Sequence, residues 1–369
     1  KDQSESGIRL IQTGNISIGE YLDKSNRAKY ITAETFERLK CTEVFPGDIL
    51  ISRLPDPIGR ACAVPQNVGK AITAVDCTIV RLDSSVCDIN YFINYTQSAR
   101  YSNELSKYLA GTTRTRISRK NLEKIEIPLP SLEEQRRIAA VLDKVSELIA
   151  KRQAQLDKLD LLVKARFVEM FGDPVLNPMK WPEQSLENMA DIVSGITKGR
   201  KTKEIELMEV PYMAVSNVKD GYIDWTTVKT ILATKAEIEQ YRLLPDDVLM
   251  TEGGDPDKLG RGAIIRQPLE NCIHQNHIFR VRLDESVLLP SYFAEFLQHQ
   301  KAKQYFLKCA KQTTGIASIN MRQLKGLPIL VPSQEIQLKF ANFVRRVDQS
   351  KLTIQQSLDK LKVLKKALM

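Results

Sequence analysis

The sequence predicts an α/β (α+β) protein built as two tandem copies of one unit. Each copy is a globular part followed by a long helix, and the two helices pair as an antiparallel coiled coil. Three observations carry that prediction. First, the chain repeats itself. Shifted by 202 positions, residues 112–165 fall on 314–367 without a gap, and Ile117, Leu122, Ile127, Pro130, Ser131, Glu133, Gln135, Ala139 and Val145 meet Ile319, Leu324, Ile329, Pro332, Ser333, Glu335, Gln337, Ala341 and Val347. Second, the globular stretches alternate short apolar runs with Gly and Pro turn signals, as short strands do. Third, each is followed by a run whose apolar residues step four-three-four-three, the spacing of a helix seam. A period this long is a duplicated domain rather than a solenoid.

The elements follow in chain order. Residues 1–130 form the first globular part, with strands at Ile49–Ile51, Ala71–Val75 and Cys77–Leu82, a helix from Tyr91 to Leu109, and a last extended segment, Ile125–Pro130, closed by prolines. Segment 131–172 is the first long helix. Ser131 is its N-cap and Glu134 completes a capping box. Its seam runs through Ile138, Leu142, Val145, Ile149, Leu156, Leu159 and Val163, with Arg152 as one charged interruption, until Gly172-Asp173-Pro174 stops it. Roughly 38 residues at ~1.5 Å rise make a rod about 55 Å long. Residues 173–332 form the second globular part, with strands at Val210–Ser216, Asp247–Thr251, Gly262–Arg266 and Ile278–Leu283. Segment 333–369 is the second helix, its seam Phe340, Val344, Val347, Ile354, Leu358 and Leu361, interrupted by Lys351 and Lys365. Each helix has one apolar stripe and needs a partner, and the other helix is at hand. Two copies related by a pseudo-two-fold axis place their helices antiparallel. The first copy lacks a counterpart to Trp181 through about Thr202, which predicts an incomplete N-terminus.

Net charge is +9 and the pI about 9.1, which favours an acidic partner, with nucleic acid foremost. The cysteines Cys41, Cys62, Cys77, Cys87, Cys272 and Cys309 form no C-x-x-C pair, so they read as reduced cytosolic thiols, without disulfide or zinc. No run approaches the roughly 18 apolar residues of a membrane span, and no signal-peptide pattern is visible. These features place the protein in the cytoplasm.

Several catalytic signatures are missing. No Asp-x-Lys or Glu-x-Lys pair of a metal nuclease occurs, nor the Asn/Asp-Pro-Pro-Tyr of an amino-methyltransferase, nor a phosphate-binding G-x-x-x-x-G-K-[ST] loop. Gly260-Arg261-Gly262 reads as a hairpin turn. His274 and His277 have no Cys or carboxylate partners nearby in sequence, a poor metal set that reads as strand histidine or polar DNA contact. What remains is polar and basic loop chemistry. Arginine can bind guanine bidentately, and Asn or Gln adenine. The candidate DNA contacts are Gln12, Thr13, Asn15, Arg53, Arg60, Thr112, Thr113, Arg114 and Arg116 in the first copy. In the second they are Lys198, Arg200, Lys201, Lys203, Asn217, Lys258 and Arg261. The run Lys198–Lys203 suits phosphates better than bases. The helices are alike while these loops diverge, as two similar scaffolds reading two different sequences require.

The pattern from Gly111 to Ile138, with Ile-Pro-Leu-Pro-Ser-Leu-Glu-Glu-Gln-Arg-Arg-Ile at its end, then Leu156-Asp157-Lys158-Leu159 and Met170-Phe171-Gly172-Asp173-Pro174, resembles the specificity subunits of type I restriction–modification systems. A degenerate second copy of it spans Thr313 to Phe340, departing at Ile336 and Leu338. The resemblance implies two target recognition domains, each reading half of a bipartite double-stranded DNA site, and a helical spacer that sets the gap. It implies no catalysis and no cofactor on this chain. Its partners would be two methyltransferase subunits that use S-adenosylmethionine. In the restriction form, two endonuclease subunits that use ATP and Mg join them. The rival readings are a coiled-coil scaffold with protein-binding end domains, or an enzyme with an unfamiliar site.

Overall fold

The computed structural model describes residues 3–111, 115–200, 206–254, 259–313 and 316–369. The chain forms two compact units, Lys1–Ala154 with Gln355–Met369, and Gln155–Ile354. Each long helix therefore contributes one part to each unit.

The first unit holds β1 (Ile8–Ile11), β2 (Lys29–Ile31), β3 (Glu43–Val44), β4 (Ile49–Ser52), β5 (Ala61–Ala63), β6 (Ala71–Thr73) and β7 (Cys77–Val80). They make two sheets, β2-β1-β6-β3 and β5-β4-β7, with β1 and β6 parallel. Strand β4 is buried at every position, the mark of a central strand covered on both faces. One face, through Leu50, packs with Ile11, Val44, Cys62 and Ala71. The other, through Ile49 and Ile51, packs with Phe92 and with Ala139 of the long helix. Helices α1 (Ala33–Arg38), α2 (Ile89–Tyr95), α3 (Ala99–Ser106) and α4 (Arg119–Leu122) complete the globular part. The single helix expected over Tyr91–Leu109 is thus two helices. Ser98 breaks it, because its hydroxyl accepts from the Tyr101 amide at 3.1 Å and caps a new helix start. The segment Ile125–Pro130, expected to be extended, joins no strand pairing among the described residues.

The second unit holds β8 (Glu183–Ser185), β9 (Ala190–Ser194), β10 (Met208–Met213), β11 (Lys229–Ala233), β12 (Val248–Thr251), β13 (Gly253–Gly254), β14 (Gly262–Ile264), β15 (Ile273–His274), β16 (Ile278–Leu283), β17 (Lys311–Thr313), β18 (Ile316–Ser318) and β19 (Pro328–Leu330). The order β11-β10-β15, with β10 parallel to β15, repeats β2-β1-β6. The order β14-β12-β16 repeats β5-β4-β7 and gains β9 on its outer edge. Strands β8 and β9 come from the stretch without a counterpart in the first copy. There, the matching edge at β7 borders a groove of about 720 Å³ lined by Ile79, Val80 and Ile127. Helices α6 (Lys235–Tyr241), α7 (Pro290–Phe296), α8 (Gln300–Cys309) and α9 (Met321–Lys325) flank these sheets.

The long helices are α5 (Leu132–Phe171) and α10 (Gln334–Leu368). Forty residues give α5 a length of about 60 Å. The Glu134 amide donates to the Ser131 hydroxyl at 3.3 Å, as a cap should, but the Glu134 carboxylate pairs with Arg137. The helix closes with the Gly172 amide on the Val168 carbonyl at 2.9 Å. Every predicted seam position is buried or half-buried, including Arg152, Lys351 and Lys365. Within the first unit the C-terminal Leu368 lines the same small cavity as Ile138 and Leu142, at the start of α5. Within the second, Phe171 at the end of α5 meets Phe340 near the start of α10, ring centroids 5.4 Å apart. In both units the pairing is antiparallel. The charged seam positions find local partners, Lys351 with Asp160 and Lys365 with the Gln97 amide oxygen at 3.1 Å. No helix among the described residues is long and apolar enough to cross a membrane.

Candidate nucleic-acid interface

In the first unit, loops 12–16, 53–60, 73–77 and 115–117 are tied together by backbone hydrogen bonds. The Arg53 amide donates to the Asp76 carbonyl at 2.9 Å, the Ile117 amide to the Arg53 carbonyl at 3.2 Å, and the Ala74 amide to the Ile11 carbonyl at 2.8 Å. Arg60 does most to hold this cluster. Its guanidinium is buried and donates to the carbonyls of Ile16 at 2.6 Å and of Thr13, Leu54 and Pro57 at 2.9 Å each. Four carbonyls replace water around the charge, and burial still pulls its pKa down. Arg60, expected among the DNA contacts, is therefore a clasp between loops. Asn15 is corrected on the same ground. It is buried, its Oδ1 accepting from the Gln12 amide and its Nδ2 donating to the Leu22 carbonyl, both at 2.9 Å. Gln12 and Thr13 are half-buried and Arg116 is exposed. Arg53 donates to the Val75 carbonyl and lies 3.6 Å from the Asp76 carboxylate. Thr112, Thr113 and Arg114 lie outside the described residues.

The second unit builds the corresponding cluster from loops 214–217, 252–254, 274–278 and 316–319. The Glu252 amide donates to the His277 carbonyl at 3.0 Å and the Ile319 amide to the Glu252 carbonyl at 2.8 Å. Asn217 repeats Asn15, buried, accepting from the Ala214 amide and donating to the Asp224 carbonyl at 2.9 Å. It too is structural rather than a base contact. Arg200, expected on phosphate, instead pairs with Glu237, the residue that closes the capping box of α6. The Arg200 hydrogen bond holds the Glu237 carboxyl below its ordinary range. Lys198 is exposed and Arg261 half-buried, whereas Lys201, Lys203 and Lys258 lie outside the described residues. His274 is fully buried, with Nδ1 3.1 Å from the Tyr241 carbonyl and Nε2 3.3 Å from that of Val193. A neutral ring can donate to only one of these, and burial pulls its pKa down to about 4. His277 is exposed and bonds to Glu252. Among the described residues, no three His, Cys, Asp or Glu side chains group as a metal site.

Sequence reasoning did not assign the residues that seat these loops, although repetition had marked them. Asp48 accepts from Arg81 at 2.9 and 3.0 Å, and Asp247 accepts from Arg282 at 2.8 Å twice. Each aspartate also takes the amide three residues before it, Phe45 or Leu244. Gln135 and Gln337 root the long helices. Gln135 Oε1 accepts from the Asp88 amide while Nε2 donates to the Val86 and Pro130 carbonyls. Gln337 does the same with Leu289, Val287 and Pro332. The two loop clusters thus stand on one frame repeated in detail.

That repeated frame has a family. The type I restriction modification DNA specificity domain matches residues 7–159 and again 178–364. The chain belongs to this family. Among relatives, the specificity subunit of the type I restriction enzyme EcoKI from Escherichia coli (strain K12) is 25% identical over 285 residues, covering 74% of this chain and 60% of that one. The StySPI specificity subunit from Salmonella potsdam is 25% identical over 271 residues, covering 70% and 58%. The chain thus spans about 60% of the length of these relatives. Two solved structures share the specificity-subunit fold. The type I S subunit from M. genitalium has a TM-score of 0.56 at 16% identity, over 99% of this chain and 88% of that one. A chain from a study of assembly and conformational transition of a type I R-M system has a TM-score of 0.59 at 17% identity, over 98% and 90%.

Proposed function

We propose that this chain is the non-catalytic DNA-recognition subunit of a type I restriction–modification complex. Each globular part is a target recognition domain that reads one half of a bipartite site in double-stranded DNA. The antiparallel helix pair sets the gap between the halves, so the gap is a geometric property of the protein. Two methyltransferase subunits, which bind S-adenosylmethionine, act on adenine at the site. An adenine must leave the duplex to be methylated, and domains that grip both sides position it for the enzyme. Where a restriction form is assembled, two endonuclease subunits with ATP and Mg join the complex. The carrying observation is the doubled family match laid over two clusters of divergent loops on one repeated frame.

The test is genome-wide adenine methylation, read by long-read sequencing, in cells carrying the neighbouring methyltransferase with and without this chain. A split motif that appears only with the chain is expected. Unchanged methylation overturns the reading and favours the coiled-coil scaffold.

A further inference from the structure

One position in the loop cluster carries opposite chemistry in the two units. In the first, Ser52 pairs with Cys77 at the end of β4 and β7; in the second, Thr251 pairs with Ile278 at the end of β12 and β16. The next residues inward to the loops are Arg53 and Asp76, and Glu252 and His277. Their backbones are equivalent. The Arg53 and Glu252 amides donate to the Asp76 and His277 carbonyls, and their own carbonyls accept from Ile117 and Ile319. Their side chains pair within each unit, Arg53 with Asp76 and His277 with Glu252. Yet the polarity is reversed. In the first unit the residue after the central strand donates and its neighbour accepts. In the second the residue after the central strand accepts and its neighbour has a ring that can donate. The pair reaches the surface unequally: Asp76 is 30%, Glu252 34% and His277 57% exposed, whereas Arg53 is 14% exposed and also donates to the Val75 carbonyl, a contact it must leave to reach a base. The frame residues Asn15 and Asn217, Asp48 and Asp247, and Gln135 and Gln337, by contrast, repeat with the same chemistry.

Resting on the DNA-recognition reading, we propose that this pair determines specificity in each target recognition domain, and that its reversal reads a G·C base pair in opposite orientations. In the major groove guanine presents two acceptors and cytosine a donor. Arg53 matches guanine and Asp76 its cytosine partner. Glu252 matches cytosine and His277 the guanine across from it. On one shared frame, exchanging donor and acceptor exchanges the strand on which guanine lies. Two diverged copies thereby read different half-sites without altering the scaffold.

The test uses the complex of this chain with its methyltransferase subunits and a pool of duplexes randomised across both half-sites. The double variant Arg53→Glu with Asp76→His is expected to change guanine to cytosine at one position of one half-site by roughly ten-fold in preference. The other half-site should stay as it was. The variant Glu252→Arg with His277→Asp should make the converse change in the other half-site. Should a double variant fail to fold by circular dichroism, Arg53→Gln or Glu252→Gln replaces it, and a shift toward adenine at that position is expected. An unchanged motif, or an affinity loss uniform across all sequences in a folded variant, overturns the inference, since the pair is then structural or phosphate-bound. A wild-type complex that selects no bipartite sequence refutes the DNA-recognition reading itself, and this inference with it.

Discussion

The two globular parts agree in the buried polar contacts that seat their loops and long helices, and they are opposite in charge at the loop ends. Asn15 and Asn217 tie equivalent turns with equivalent hydrogen bonds. Gln135 and Gln337 root the two long helices through the same three backbone groups. At the loop ends, Arg53 beside Asp76 in the first unit has as its counterpart in the second Glu252 beside His277, with the polarity reversed. A buried polar group left without its partner costs the whole of its lost hydration, so such contacts tolerate little change. A pair that reaches the surface has water as an alternative and is freer to vary. The comparison separates what carries the loops from what the loops do.

The hardest test of that separation lies at Gly59 and Gly260, which have positive φ values of 80° and 69°. A Cβ on Gly260 would sit 2.1 Å from Cδ2 of the buried Phe306 ring, and one on Gly59 would sit 2.2 Å from Leu105 Cδ1. Left-handed strain and overpacking act together at both sites. Gly260→Ala should destabilise by about 4 kcal/mol and Gly59→Ala by about 2, because a leucine tip yields where a packed ring does not. Urea unfolding measures both. A negligible cost at both sites breaks the claim that these turns are closed by packing, and equal costs break the distinction between the Phe306 ring and the Leu105 tip.

The glutamines sharpen the comparison at a smaller scale. Gln337→Ala strands the Leu289 amide and two carbonyls in a buried setting and should cost about 3 kcal/mol. Gln135→Ala strands groups that are only partly buried, and should cost about 1–2 kcal/mol. Faster hydrogen exchange at the Leu289 and Asp88 amides reports each loss separately. A larger penalty in the first unit would reverse the assignment.

The smallest effect belongs to one copy alone. His274 takes the place of Thr73, the residue that pairs with β1 as His274 pairs with β10. Its folded pKa of about 4 lies below the ordinary value of 6.5, so the unfolded chain binds the proton more readily. The stability it contributes is complete above pH 6.5 and falls as the pH drops toward about 4. The expected loss between pH 7 and 5 is about 2 kcal/mol. Both tryptophans, Trp181 and Trp225, lie in the second unit, so indole emission follows its unfolding selectively. His274→Gln should flatten the pH dependence seen there. An equally steep curve in the variant refutes the role of the buried ring.

Much of this was legible without coordinates. The seam residues stand at helical spacing, and a stripe of that period on a charged helix has to be covered. Strand Ile278–Leu283 forms at the predicted bounds, with Ile278, Phe279, Val281 and Leu283 as its apolar positions beside Arg280 and Arg282. Other features were hidden. Strand β8, Glu183-Gln184-Ser185, has neither alternation nor apolar content, and its pairing comes from Pro328–Leu330, far along the chain. The break at Ser98 competes with a helical pattern on both sides, and a single hydroxyl decides it.

The site divides in the same way. The amino-acid sequence alone determined the duplication, the two long helices with their stripes, the family, and which loops differ between copies. The duplication, the stripes and the differing loops rest on local periodicity or on a comparison of the chain with itself, and the family rests on the resemblance of the Gly111–Ile138 pattern to known specificity subunits. The tertiary structure alone decided which polar residues are occupied. Arg60, Asn15, Asn217 and Arg200 have the side chains of DNA contacts, but their partners are carbonyls, amides and a carboxylate brought in by folding. The Thr13 and Ile16 carbonyls that satisfy Arg60 lie more than forty residues away in the chain. Composition and spacing hold no record of such a partner, because whether a charge is spent inside the fold or left for a ligand depends on what closes around it.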